Sequence, residues 1–418
     1  MASPPVPLSL RERGDVESRF MPVERRLILT LVAIKLTIHL AAAAITPYEF
    51  HRDELLYFSM GTHLSLFRMD FPPMIALLSE ALRQTVGVTV VTYRLAAAVF
   101  GTALFALSLL CVRALGGGRR AILLAGVALL SGPLFLRTSS LFQPVVLDQL
   151  WWTAALYCLV RLEQTGERRW WWALGVAGGL GLFTKFSIFF IGFGVLVALL
   201  LTRRRRELLG PGPWIALVVA LVVGSPSLIG QIALHWPVAD QMAPLREGQL
   251  DRITWGEYLG TQPMMVGPAV LLALAGVVAL IGRGPLGRYR VVGLATVTTF
   301  MLLGFLHGKP YYAGPVYPML FAAGAVWVEQ LDRPPIRAAV TWALGLTAAA
   351  YGIVAAPMGL PILPPQPMAR YARALGLTAA TQTNQGGQLP LPQDYADMLG
   401  WREKADAVAL VVGSLTPE

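Results

Sequence analysis

Residues 46–61 read TPYEFHRDELLYFSMG and follow directly on an apolar run long enough to cross a bilayer. Glu49, His51, Arg52, Asp53 and Glu54 therefore stand at a membrane edge, in a segment whose apolar spacing predicts a helix. Ionisable groups are expensive at membrane depth, so this stretch, and the side of the membrane it occupies, organises the reading of the whole chain. The surroundings fix the class. Of 418 residues 55% are hydrophobic and only 14% charged, against about 25% charged in ordinary globular chains. Mean hydropathy is +0.59. The net charge of +10 sits in small clusters between apolar runs, the pattern of topology signals rather than of a nucleic-acid surface. Cys111 and Cys158 fall inside apolar runs and imply neither a disulfide framework nor a metal site.

Eleven apolar runs are candidate spans, near 27–46, 93–113, 120–136, 145–162, 170–184, 186–202, 213–231, 264–282, 291–306, 315–331 and 338–356. The first lacks a small-residue cleavage site and reads as a retained helix. Alternate connections are short and arginine-rich: Arg11, Arg13, Arg19, Arg25 and Arg26 before the first run, then clusters near 113–120, 161–169, 203–206, 283–290 and 333–337. They hold 20 of the 34 basic residues. Positive-inside bias places them in the cytoplasm and the opening stretch outside. The expected organisation is a cytoplasmic segment 1–26, a transmembrane core 27–356 with an outer loop 47–92, and an outer tail 357–418. That tail reads as a linker leading to one amphipathic helix. The expected fold is an all-α polytopic membrane protein of about 11 transmembrane helices, with juxtamembrane helices where the paired prolines Pro72 and Pro73 break the outer loop.

Most of the unusual ionisable residues then gather on the outer side. Asp53 and Glu54 are joined by Arg68, by Asp148 a turn inside the fourth run, by Lys185 at the break in "FTKFS", and by His307, Lys309, Tyr311 and Tyr312 in "LHGKPYYAGPVYP". Each has a plain alternative. The two acids favour the positive end of a helix dipole. Asp148 either pairs with Arg137 or caps its helix, Lys185 snorkels to headgroups, and the tyrosines form an interfacial belt. Those alternatives leave unexplained why two acids and two lysines share one face, in a chain that uses lysine at only four of its 34 basic positions. Lysine is a compact point charge suited to phosphate. A carboxylate at the mouth of such a site and lysines within it suit a substrate with a greasy tail and a phosphate head: a base activates the acceptor and cations stabilise the departing lipid phosphate. Asp53 is the expected base, because Tyr57 shares its helix face at i+4 while Glu54 points about 100° away.

"HRDELLYFSMG…DFPPM", "VVLDQLWW", "GLFTKFSIFF", "GKPYYAGPVYPMLFAAGA" and, near the end, "LPQDYADMLGW" resemble bacterial membrane glycosyltransferases of the GT-C fold, in the dolichyl-phosphate-mannose protein mannosyltransferase-like family and its relative the lipid A aminoarabinose transferase. The resemblance implies a catalytic base at Asp53 with Glu54 beside it, and a second acidic position at Asp148. It further implies lipid-phosphate contacts at Lys185 and Lys309, a donor site lined by the tyrosines, and inverting transfer with no cofactor and no obligatory metal. The implied partners are a polyprenyl-phosphate sugar donor and membrane lipid, with the acceptor (protein, lipid A or polysaccharide) left open, at a bacterial inner membrane. Two departures stand out: Phe71 occupies a position that is often polar, and the chain ends soon after the tail helix, where relatives continue into an outer domain. The rival class is a polytopic lipid or small-solute transporter, which needs a midplane site, usually with internal repeats. Phosphoryl or phosphoethanolamine-type transfer needs a His/Asp metal cluster, and His51, His63, His235 and His307 are scattered.

Overall fold

The computed structural model describes residues 22–383 and 386–415. Arg11, Arg13 and Arg19, counted above as cytoplasmic, lie outside the described residues, as does most of the segment 1–26. The described residues form helices joined by short turns, with one isolated β-bridge between Gln382 and Gln388. Every one of the eleven apolar runs is helical. Four helices are long and apolar enough to cross a membrane: Val23–Ile45, Val90–Ala114, Pro144–Thr165 and Pro334–Gly359. The others are shorter or bent. Gly132 and Pro133 divide the third run into Arg119–Ser131 and Pro133–Thr138. Gly267, at φ +60°, and Pro268 turn Trp255–Val266 by 110° from Ala269–Ile281.

Close backbone approach at glycines adds to a core of large buried side chains such as Trp152, Phe105 and Phe321. Gly276 on Ala269–Ile281 and Gly324 on Tyr317–Glu329 face each other, and a methyl at either would overlap the carbonyl of Leu320 or Leu272. Gly175 and Gly179 on Arg169–Thr184 meet the Ala216 and Ala220 carbonyls of Pro211–Val223 in the same way. Gly194 on Ile188–Leu201 packs on Ala295 and Thr299 of Arg290–Phe305. Small residues at helix contacts suit a chain in lipid, where hydrocarbon competes for every apolar surface. Leu200, Leu217, Val222, Leu271, Val278, Leu346 and Ile353 stay exposed on the outside of these helices.

Polar groups are buried in the interior, and most are tied to helix-end carbonyls or hydroxyls. Lys35 donates to the Phe135 carbonyl at 3.1 Å, and His39 Nδ1 meets Ser140 Oγ at 3.0 Å. Arg94, 1% exposed, donates to Thr46 Oγ1 (2.6 Å), the Glu49 carbonyl (2.8 Å) and Met398 Sδ (3.2 Å). It binds the loop after the first helix to a residue some 300 positions away. The result is a rigid end of the bundle on which the site is built.

Candidate active site

The chain leaves Pro22–Ile45, turns through residues 46–51 and starts a new helix at Arg52–Thr62. His51 caps it: Nδ1 accepts the Asp53 backbone N–H at 3.1 Å, satisfying one orphan donor of the first turn. Glu54 completes the capping box, its Oε2 accepting the His51 N–H at 2.9 Å. Its other oxygen accepts the Phe142 N–H at 3.0 Å, and the side chain is wholly buried. Burial pushes the Glu54 carboxyl up, opposed by the Arg94 guanidinium and the two backbone donors. Glu54 is thus a lock between two loops. Asp53, one residue earlier, is 34% exposed. It accepts from Gln143 Nε2 at 3.0 Å on one oxygen and lies 3.4 Å from Arg52 Nε on the other. Tyr57 sits in its field as the helix spacing predicts; burial, then Asp53, pushes the Tyr57 hydroxyl up, so it stays protonated.

Two lysines come from other elements. Lys185 ends Arg169–Thr184 in an extended conformation and lays its ammonium over the Tyr312 ring, 4.8 Å from the centroid. Half-buried Lys309 opens the 3₁₀ turn Pro310–Val316. Burial pushes its ammonium down first; Arg52 and Lys185 act in the same sense, and Asp394 and Asp53 oppose them. Arg52, Asp53, Lys185 and Asp394 are thus near enough to Lys309 to act on its charge. Tyr311 and Tyr312 pack edge to face at 4.8 Å. Burial, then Tyr312, raises the Tyr311 hydroxyl, with Asp394 and Tyr57 also in reach, which leaves it a hydrogen-bond donor. Asp148, 3% exposed, lies beneath, near Lys185, with its Oδ1 lacking a protein hydrogen-bond partner.

Two of the expected residues are elsewhere. Arg68 is exposed, and its guanidinium makes no polar contact among the described residues. His307, at φ +54°, engages the Ile253 carbonyl through Nδ1 at 2.8 Å. It pins the 249–254 loop and does not face the acids.

The tail is not a free linker. Residues 391–401 pack back on the site, with Leu391, Tyr395 and Met398 buried against Tyr48, Leu141 and Met368. Glu49 N–H donates to the Met398 carbonyl (3.2 Å), Arg52 N–H to the Asp397 carbonyl (3.1 Å) and Trp401 N–H to Glu49 Oε2 (3.0 Å). Arg137, offered above as a partner for Asp148, pairs instead with Asp394: Nε to Oδ2 is 3.2 Å. The Asp394 side chain is exposed, and Arg137, with His51 and Arg52, holds its carboxyl below the usual range. Asp394, Asp397 and Arg137 are thus site neighbours that sequence reasoning did not assign. The motif "LPQDYADMLGW" was the only signal for two of them.

A family profile described as dolichyl-phosphate-mannose-protein mannosyltransferase matches residues 70–229. A sequence search among curated proteins finds no match. Among solved structures the chain is similar to ArnT from Cupriavidus metallidurans bound to undecaprenyl phosphate, at 18% identity and a TM-score of 0.64, over 94% of this chain and 81% of that one. The apo state of the same protein superposes equally, at 19% identity and 0.63. The archaeal oligosaccharyltransferase AglB from Archaeoglobus fulgidus, in complex with an inhibitory peptide and a dolichol-phosphate, aligns at 12% identity and 0.57, over 82% of this chain and 58% of that one. The chain shares the GT-C fold of these structures and matches, across residues 70–229, the family profile described as dolichyl-phosphate-mannose-protein mannosyltransferase.

Proposed function

We propose that the protein transfers a sugar from a polyprenyl-phosphate carrier to an acceptor hydroxyl or amine, with inversion, on the outer face of the bacterial inner membrane. Asp53 is the general base. What supports this reading is that an accessible carboxylate, Asp53, and the ammonium of Lys185 both lie near enough to Lys309 to act on its charge. Asp53 takes the acceptor proton as the acceptor attacks the anomeric carbon. The bond from that carbon to the phosphate oxygen breaks, and the lipid phosphate departs with its negative charge toward Lys309 and Lys185. The Tyr311 and Tyr312 hydroxyls supply further donors to phosphate or sugar. Asp148, buried beside Lys185, holds that ammonium in place. Arg68 and His307 have no place in this chemistry, and Glu54 serves it only by fixing the Asp53 helix. The undecaprenyl phosphate and dolichol-phosphate held by the solved neighbours support a polyprenyl-phosphate donor here.

In this reading the lysines neutralise the leaving phosphate and no metal is required, so chelation with EDTA leaves the transfer rate unchanged; loss of activity restored by a divalent cation contradicts it. The test of the function itself uses purified protein in detergent with polyprenyl-phosphate-linked sugars. Time-dependent release of free polyprenyl phosphate, matched by sugar on an acceptor, is expected. Movement of lipid or solute across vesicles without cleavage of the sugar–phosphate bond supports a transporter instead.

A further inference from the structure

Arg52 lies between two carboxylates. Its Nε is 3.4 Å from Asp53 Oδ1 and 3.4 Å from Asp397 Oδ2, the latter delivered by the tail. His51 repeats the arrangement, with Nδ1 3.9 Å from Asp53 Oδ2 and Nε2 3.8 Å from Asp397 Oδ2. Because Nδ1 accepts the Asp53 N–H, the neutral ring carries its proton on Nε2, on the side of Asp397. Both His51 Nε2 and Asp397 Oδ2 are buried with no hydrogen-bond partner. At 3.8 Å the gap is too narrow for a bridging water, so a small closure joins them directly.

We propose that Asp397 is a positioning residue for the transfer: it fixes His51 in the Nε2–H form that caps the Asp53 helix and draws part of the Arg52 guanidinium away from Asp53. An arginine given wholly to Asp53 would stabilise its anion and weaken it as a base. The other charged and titratable groups facing Asp53 are Tyr57 on its own helix, Lys309 at the start of the 3₁₀ turn, and Asp394, itself held by Arg137; Gln143, its hydrogen-bond partner, is neutral. Asp397 comes to 3.4 Å from Arg52 Nε and 3.8 Å from His51 Nε2, while Asp394 acts on both without a direct ion pair to either. Burial holds the Asp397 carboxyl above the usual range, with Arg52 and a hydrogen bond from Gln393 opposing.

This inference rests on Asp53 being the base, and its test separates the two. D397N keeps shape and removes one charge. In the full-length chain at pH 7, kcat for sugar transfer is expected to fall about tenfold, with the donor KM within about twofold. The acid limb of the kcat profile moves to lower pH by about half a unit or more, because Arg52 passes to Asp53 and a neighbouring negative charge is lost. Asp397→Glu, which restores the charge, returns the limb toward wild type and serves as the reference if D397N folds poorly. In an Arg52→Gln background the D397N shift shrinks. An acid limb unmoved in D397N, even with kcat reduced, makes Asp397 a structural contact only and overturns the inference. If D53N retains the wild-type rate, the base assignment itself fails, whatever D397N does.

Discussion

The start of the Asp53 helix and the interior beneath it are equally charged and opposite in kind. In the interior, Lys35, His39 and Arg94 are all but completely buried and donate to fixed carbonyls, hydroxyls and a thioether. At the helix start, Asp53 and Arg52 stay partly exposed and share their partners, while Asp397 Oδ2 and His51 Nε2 make no hydrogen bond. Interior polar groups anchored in this way set geometry, because moving one leaves a buried group without its hydrogen-bond partner. Charges with incomplete partnerships can change them when a substrate arrives. Glu54 and Asp53, adjacent in sequence, fall on the two sides of this divide.

The comparison can be broken from either side. The largest effect is expected at the open end: D53N lowers kcat by about 10²–10⁴-fold, the usual contribution of a general base, with no loss of folded protein. Next is R94M in the interior, which removes the bonds to Thr46, the Glu49 carbonyl and Met398 and releases the tail. A lost hydrogen bond to a charged group costs about 1.5–3 kcal/mol, read as a fall in thermal midpoint in detergent and protease cleavage near residue 400. If R94M instead keeps full stability and loses only turnover, the division between anchor and site is wrong. K309Q is expected to lower transfer by about 10–10²-fold, with a larger effect on sugars whose leaving phosphate depends on it; an unchanged rate removes Lys309 from the phosphate site.

Smaller effects sharpen the boundary. Burial, with Arg137, pulls the His51 imidazole down to about 4. A histidine with a depressed folded-state value stabilises the fold above its ordinary value near 6.5 and loses that contribution as pH falls toward 4. The wild-type thermal midpoint should therefore drop on acidification from pH 6.5 to 4.5. H51N keeps an acceptor at the cap but cannot titrate, so the drop should flatten; equal slopes refute the assignment. Asp394 has the same sign and Glu54 the opposite, and both are common to the two proteins. Far from the site, G324A should cost only about 1–3 kcal/mol through overlap with the Leu272 carbonyl, with kcat preserved in the folded fraction.

Much of this was legible in the sequence for a physical reason. Long apolar runs dictate helices whatever their neighbours, so all eleven were located. The breaks at Gly132–Pro133 and Gly267–Pro268 lay inside runs that hydropathy averages smooth over. Asp53, Lys185 and Lys309 were visible because a charge at a membrane edge is conspicuous. The division of labour between Asp53 and Glu54 was only half visible: spacing set them on different faces, but the second lock of Glu54, to Phe142, lies 88 residues away. Arg94 lay within an apolar run, and its reach to Met398 spans 304 residues. Such contacts leave no local periodicity to read. His307 was attractive by its company in "LHGKPYY", yet its left-handed backbone turns the ring to Ile253. The tail looked like a linker because its few apolar residues, Leu391, Tyr395 and Met398, find their core only on Tyr48 and Met368.

The central claim is that the accessible acid of the capping box is the base of a sugar transfer whose leaving phosphate faces Lys309 and Lys185. The most direct measurement compares single-turnover transfer from a polyprenyl-phosphate-linked sugar by wild-type, D53N and E54Q proteins, each verified as folded. The account predicts that D53N binds the donor and fails to turn it over, while E54Q loses stability but transfers sugar in the fraction that folds. Transfer by D53N at close to the wild-type rate, or an E54Q protein that is stable and inactive, contradicts it.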